Sequence, residues 1–149
     1  MNNLDLEYMK AALKLAEQAY ENNEVPVGAV IVKDGKIIST GANNREETGD
    51  ATGHAETLAI RRACETIGSW RLEDCELYVT LEPCPMCMGA IINSRVKRIV
   101  FGAKDAKAGA CGSVINLNNY PFNHKPEISS GIMEEECRRI LSDFFSKKR

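Results

Sequence analysis

The chain has 149 residues, 44% hydrophobic and 27% charged, which suits one folded unit spanning residues 1–149 around a single sizeable core. A formal net charge of -2 gives no bulk attraction to nucleic acid and counts against a nonspecific nucleic-acid binder, so any RNA contact must be local. No segment is apolar for the length of a membrane span, and the start Met1-Asn2-Asn3-Leu4-Asp5 lacks a basic region ahead of an apolar run, so a soluble, cytoplasmic protein is expected.

In chain order, Asp5 is placed to cap a helix in which Tyr8, Met9, Ala12, Leu13, Ala16, Ala19 and Tyr20 recur at the spacing of one buried face, ending near Asn22 or Asn23. Val27–Val32 and Lys36–Thr40 are β-prone runs on either side of Asp34-Gly35, a dipeptide suited to a tight hairpin turn. The polar stretch Asn43–Gly53 reads as a loop into a helix from about His54 to Ile67, which Gly68 stops. Leu77–Leu81 is the next strand. Pro83 and Pro85 then open a helix reaching about Asn93, because proline is tolerated in a first turn. Arg98–Phe101 gives a further strand; a glycine-rich loop around Gly109 and Gly112, a short strand at Ile128 and an amphipathic helix from about Ile132 to Phe145 complete the chain. This order predicts an α/β fold, a mixed sheet with helices on its faces.

The chemistry concentrates in His54-Ala55-Glu56, followed 28 residues after Glu56 by Cys84-Pro85-Met86-Cys87. One histidine and two thiolates supply three protein ligands and leave the fourth tetrahedral position open for water, whereas structural zinc is normally enclosed by four side chains. The pair therefore reads as a catalytic zinc site. A lone CxxC or a lone histidine is weak evidence, but the only other histidine, His124, is remote from any cysteine pair. Cys84 and Cys87, three apart at a helix start, share a face where unpaired backbone N–H groups favour thiolate. His54 and Glu56, two apart, would not align on a regular helix, so Glu56 is left off the ligand list and assigned general acid and base work. Cys64, Cys75, Cys111 and Cys137 are expected as buried, reduced thiols.

HxE followed by PCxxC resembles the cytidine deaminase-like superfamily of zinc deaminases, and within it the bacterial tRNA-specific adenosine deaminases. The resemblance extends over nearly the whole chain, through Glu24-Val-Pro-Val-Gly-Ala29, Asp50-Ala-Thr-Gly-His-Ala-Glu56, Leu77-Tyr-Val-Thr-Leu-Glu-Pro-Cys84, Phe101-Gly-Ala-Lys-Asp-Ala-Lys107, Asn123-His124 and Phe144-Phe145. Gly53 departs from it, standing where alanine is common, and should loosen that turn slightly.

The resemblance implies a three-layer α/β/α sandwich with a central mixed five-stranded sheet. It further implies one Zn2+ per subunit on His54, Cys84 and Cys87, and hydrolysis of adenosine to inosine at the wobble position of a tRNA anticodon, in an arginine tRNA, with Glu56 as proton shuttle. In that reading the Asn43 amide binds the flipped-out nucleotide; asparagine is also a common turn former. Val27 and Pro26 are either an apolar wall against the base or simply a strand entry. Asp105 and Lys107 fall near the anticodon stem-loop, where their charges alone would read as a solvated pair. Lys147-Lys148-Arg149 is a short basic tail within reach of phosphate, of a kind more often merely exposed. A homodimer is expected, each active site near the interface, with the apolar surface of Met86, Met88, Ala90, Ile91 and Ile92 available for the contact. Two other readings stand beside this one. A free base or nucleotide deaminase of guanine or cytosine type would use the same metal and glutamate in a smaller pocket. A non-catalytic RNA-binding subunit with structural zinc could dispense with Glu56, which this chain retains.

Overall fold

The computed structural model describes residues 3–147. In chain order it contains α1 (Asn3–Glu21), β1 (Gly28–Lys33), β2 (Lys36–Ala42), α2 (Arg45–Thr48), α3 (Ala55–Ile67), β3 (Cys75–Leu81), α4 (Pro85–Asn93), β4 (Arg98–Ala103), β5 (Glu127–Ser130) and α5 (Glu134–Lys147). The strands form one sheet in the order β2-β1-β3-β4-β5; β1 runs antiparallel to β2 and β3, and β3, β4 and β5 run parallel.

Alternation along the strands decides the layering. Ala29 and Ile31 of β1, Leu77 and Val79 of β3, and Ile99 and Phe101 of β4 face one side, where Ala55, Ala59 and Ala63 of α3 and Met88 and Ile91 of α4 cover them. Val30, Val32, Tyr78 and Val100 face the other side, against Tyr8, Met9 and Ala12 of α1 and Cys137 of α5. The result is the three-layer α/β/α arrangement with a mixed five-stranded sheet that the cytidine deaminase-like resemblance implies. Asp34 and Gly35 both take positive φ, 52° and 75°, as the hairpin requires.

Strand direction also places the site. Because β2, β3 and β4 all point the same way, the residues that follow them, Asn43, Glu82 and Lys104, emerge at one edge of the sheet.

Three sequence expectations need correction. Asp5 does not stand ahead of α1 as its cap. It lies inside the first turn, buried, where it accepts from the Tyr78 hydroxyl (2.6 Å) and from Arg98 (3.1 and 2.9 Å). The stretch after Asn43 is not all loop, since the short helix α2 occupies it. Cys64 is half-buried while Cys75, Cys111 and Cys137 are buried, and all four are free thiols. Of the basic tail, Lys148 and Arg149 lie outside the described residues, and Lys147 pairs with Asp143 at 3.4 Å. No helix among the described residues is long and apolar enough to cross a membrane.

Candidate active site

His54 and Cys84 each occupy the residue just before a helix, α3 and α4, in extended backbone conformation. Pro85 at the first position of α4 has the φ a helix start needs and no N–H to leave unpaired. Cys87 follows three residues after Cys84, one turn on, so the two sulfurs converge on the imidazole. His54 Nδ1 is 3.7 Å from Cys84 Sγ and 3.4 Å from Cys87 Sγ. The ligand atoms of these three residues lie within 4.8 Å of one another, a group positioned to bind a metal ion.

The electrostatics of the cluster point the same way. A hydrogen bond from the Cys87 thiol, followed by that to His54 against the cost of burial, holds the Cys84 thiol down at about 4. The same bond, with burial, pushes Cys87 up. His54 is raised, chiefly by its hydrogen bond to Cys84. Two sulfurs sharing a proton beside an imidazole form a donor set that a divalent cation of nitrogen and sulfur preference satisfies. Glu56, one residue into α3, is 4% exposed. Burial pushes its carboxyl up to about 7, only partly offset by its own backbone hydrogen bond and the field of His54. A carboxyl so placed gives up or takes a proton near neutrality.

Above these groups opens a cavity of ≈ 970 Å³ in whose lining His54, Glu56 and Cys84 take part. Val27 and Asn43 join them, and Val25 rather than Pro26 supplies the second apolar residue of that segment; Pro26 is buried outside the cavity lining. Asn43 is not a turn former. Its Oδ1 accepts the buried Ala55 N–H at 2.8 Å, which ties β2 to the start of the helix carrying Glu56 and leaves the Nδ2 amide as its remaining polar group. Asp105 and Lys107 both line the cavity; Asp105 Oδ1 accepts the N–H groups of Lys107 (3.0 Å) and Ala108 (3.1 Å), so this carboxylate shapes its own loop. Asn123 and His124 lie elsewhere: His124 Nε2 is 2.6 Å from the Val96 carbonyl, beside a different, polar surface pocket. The turn at Gly53 is pinned rather than loosened, its N–H bonded to Asp50 O and its carbonyl accepting Asn44 N–H, both at 3.0 Å, and a Cβ there would stand 2.3 Å from Asn44 Oδ1.

Sequence reasoning assigned no role to several residues that matter here. Arg138, Leu141 and Phe145 bring one face of α5 onto the cavity. Glu24 is 2% exposed and accepts the N–H groups of Glu46 (3.0 Å) and Glu47 (2.8 Å), which holds α2 in place. Glu82 is also 2% exposed. It accepts N–H groups from Asp105 (3.0 Å), Cys111 (3.0 Å) and Ser113 (3.1 Å) and the Ser113 hydroxyl. Burial raises its carboxyl, and these donors more than reverse the effect, leaving it below the ordinary glutamate value. The one available signal was an acidic residue inside each of two otherwise apolar segments, Glu24-Val25-Pro26-Val27 and Leu81-Glu82-Pro83.

A sheet covered on both faces, with His, Cys and Cys gathered at two helix starts beside a buried glutamate, defines a deaminase, and residues 3–149 match the MafB19-like deaminase family. The chain is 52% identical to the tRNA-specific adenosine deaminase of Bacillus subtilis over 143 residues, 95% of this chain and 89% of that protein. A solved structure from work on A-to-I editing by tRNA:A34 deaminases superposes with a TM-score of 0.89 at 45% identity, covering 91% of this chain and 99% of that one. The chain belongs to the tRNA-specific adenosine deaminase family. The guanine deaminase of Bacillus subtilis is more distant in structure, with a TM-score of 0.65 at 32% identity over 99% of this chain and 94% of that one.

Proposed function

We propose that this protein hydrolyses adenosine to inosine at the wobble position of a tRNA anticodon, an arginine tRNA being the expected substrate, in the cytoplasm and with one Zn2+ per subunit. The observation that carries the reading is the buried Glu56 beside the His54, Cys84 and Cys87 cluster, with His54, Glu56 and Cys84 lining one open cavity. Tetrahedral zinc with bonds of about 2.05 Å to nitrogen and about 2.3 Å to sulfur separates such donors by about 3.6 Å. The 3.7 and 3.4 Å separations from His54 Nδ1 to the two sulfurs fit that spacing. Bound there, zinc supplies Lewis-acid activation of water at neutral pH.

The remaining chemistry belongs to side chains of this chain. Glu56 accepts a proton from the attacking water and delivers it to ring N1 as the new O–C6 bond forms; the second water proton follows to the exocyclic nitrogen as C6–N6 breaks, releasing ammonia and inosine. Asn43 Nδ2 orients the flipped-out base against Val27. Lys107, exposed on the cavity rim, meets the anticodon stem-loop backbone. We also infer a homodimer. Met88, Ile91 and Ile92 of α4 go into the core, so from this helix mainly Met86 remains exposed, and Val114, Ile115, Tyr120 and Phe122 extend the exposed apolar surface available for a second copy.

The test is to incubate the zinc-loaded protein with an ACG-anticodon arginine tRNA transcript, and separately with guanine, cytosine, cytidine and adenosine, and to quantify products by mass spectrometry. Inosine confined to the wobble position is the expected result. Turnover of a free base with the tRNA left intact overturns the proposal in favour of small-molecule deamination. Glu56→Gln is expected to lower the rate by roughly 10² to 10⁴ with zinc retained, and normal turnover in that variant would remove the proton-transfer role.

A further inference from the structure

Glu82 has no place in the chemistry above, yet it is a buried carboxylate two residues before Cys84. Its partners all come from one loop. Three backbone amides, those of Asp105, Cys111 and Ser113, and the Ser113 hydroxyl converge on its two oxygens across 23 to 31 residues of sequence. Neighbouring backbone bonds reinforce the attachment: Glu82 N–H donates to Ala103 O (2.8 Å) and Ala110 N–H donates to Pro83 O (2.9 Å). The loop is thus fastened to the same short segment that presents Cys84, and its residues Lys104–Ala108 form one wall of the cavity.

The loop is built to admit this carboxylate. A Cβ on Gly109 would fall 2.4 Å from both the carboxyl carbon and Oε2 of Glu82, and 2.6 Å from Asp105 O, so a side chain at that position would force the carboxylate and the loop apart. Burying a charge is costly unless donors surround it, and this loop supplies them at both oxygens.

We infer that Glu82 is a positioning residue that fixes the Lys104–Ser113 loop relative to the Cys84 end of the site, and so sets the substrate-binding wall at Asp105 and Lys107. The inference deepens the proposed activity and rests on it for its kinetic readout. Neither Glu56 nor any member of the His54, Cys84 and Cys87 cluster hydrogen-bonds Glu82, so displacement of the loop acts on binding more than on the proton transfers.

The experiment compares Glu82→Gln, Gly109→Ala and Ser113→Ala with the wild type. Gln removes one acceptor oxygen and turns an amide NH2 toward donors; Gly109→Ala displaces an intact Glu82; Ser113→Ala removes a single donor. For each, kcat and KM are measured on an anticodon stem-loop, with zinc stoichiometry and amide hydrogen exchange of residues 105–113 measured on the same zinc-loaded protein without RNA. Glu82→Gln and Gly109→Ala should raise KM about 10- to 100-fold with kcat changed less than about threefold, and should speed exchange at Asp105, Cys111 and Ser113, while zinc stays at the wild-type level. Ser113→Ala should show the same pattern more weakly. A general loss of fold would instead lower the active fraction and leave KM alone. Wild-type KM and wild-type protection in folded Glu82→Gln and Gly109→Ala overturn the inference; if Glu82→Gln does not fold, Gly109→Ala and Ser113→Ala decide it. Should the wild type make no inosine, the proposed function fails, and the exchange data judge Glu82 separately.

Discussion

The proposed function gives Asn43 a second task beside its bond to Ala55, one for each end of its amide, and substitution can separate the two. Its Oδ1 accepts the Ala55 N–H at 2.8 Å in a buried setting, one of the first amides of α3 that lacks a partner within the helix. Asn43→Ala removes that acceptor and leaves a buried donor unpaired, which costs about 1–2 kcal/mol of stability. If Nδ2 holds the base as proposed, its loss should remove about 1.4 kcal/mol of substrate binding, tenfold in KM. Asn43→Asp keeps an oxygen for Ala55 and places negative charge at a helix N-terminus, so stability returns to within about 0.5 kcal/mol of wild type. It has no amide to offer the base, so the KM defect persists. Urea unfolding of the zinc-loaded proteins and steady-state kinetics on an anticodon stem-loop check both halves. An Ala variant with the wild-type urea midpoint refutes the capping argument, and an Asp variant with wild-type KM refutes the amide's role in binding.

Other perturbations follow from the same geometry. Cys87→Ser should abolish stoichiometric metal binding while Cys64→Ser leaves it unchanged, as read by elemental analysis after dialysis, because only Cys87 belongs to the three-ligand group. Lys107→Ala should weaken RNA binding alike across anticodon sequences and reduce the slope of log K against log salt by about one; a sequence-selective loss would instead assign Lys107 to base readout. Asp5→Asn should cost about 2 kcal/mol at pH 7, since the buried Tyr78 hydroxyl and Arg98 lose an anionic acceptor while Arg98 keeps Glu76 at 3.0 Å. The Arg98 hydrogen bond holds the Asp5 carboxyl below its ordinary value against the effect of burial. As pH falls the unfolded chain therefore takes the proton first, and the Asp5 contribution, complete above about pH 5, is lost as pH drops through the folded-state value. Urea midpoints of wild type and Asp5→Asn should accordingly converge below about pH 4, and a constant gap down to pH 3 contradicts the assignment.

What could be read from the chain before folding was what local spacing encodes. Apolar periods of 2 and 3.6 place the main strands and helices, and the His54, Cys84 and Cys87 group that could hold a metal is visible because its donors sit one turn apart, or beside a helix start, within each motif. The residues misread or overlooked take their meaning from distant partners. Asp5 has the local look of a cap, but its partners are 73 and 93 residues away. The helix α2 buries no residue and so has no apolar face to betray it; Glu24, 22 and 23 residues upstream, supplies the acceptors for its first amides. Glu24 and Glu82 thus do similar work, each a buried acid that accepts backbone N–H groups of a segment distant in sequence, the first turn of α2 for Glu24 and the Lys104–Ser113 loop for Glu82. That pattern has a physical reason. A loop over a binding site has little apolar surface with which to fix itself, and its backbone N–H groups need acceptors once water is displaced. An internal carboxylate with several lone pairs answers both needs from the end of the sheet.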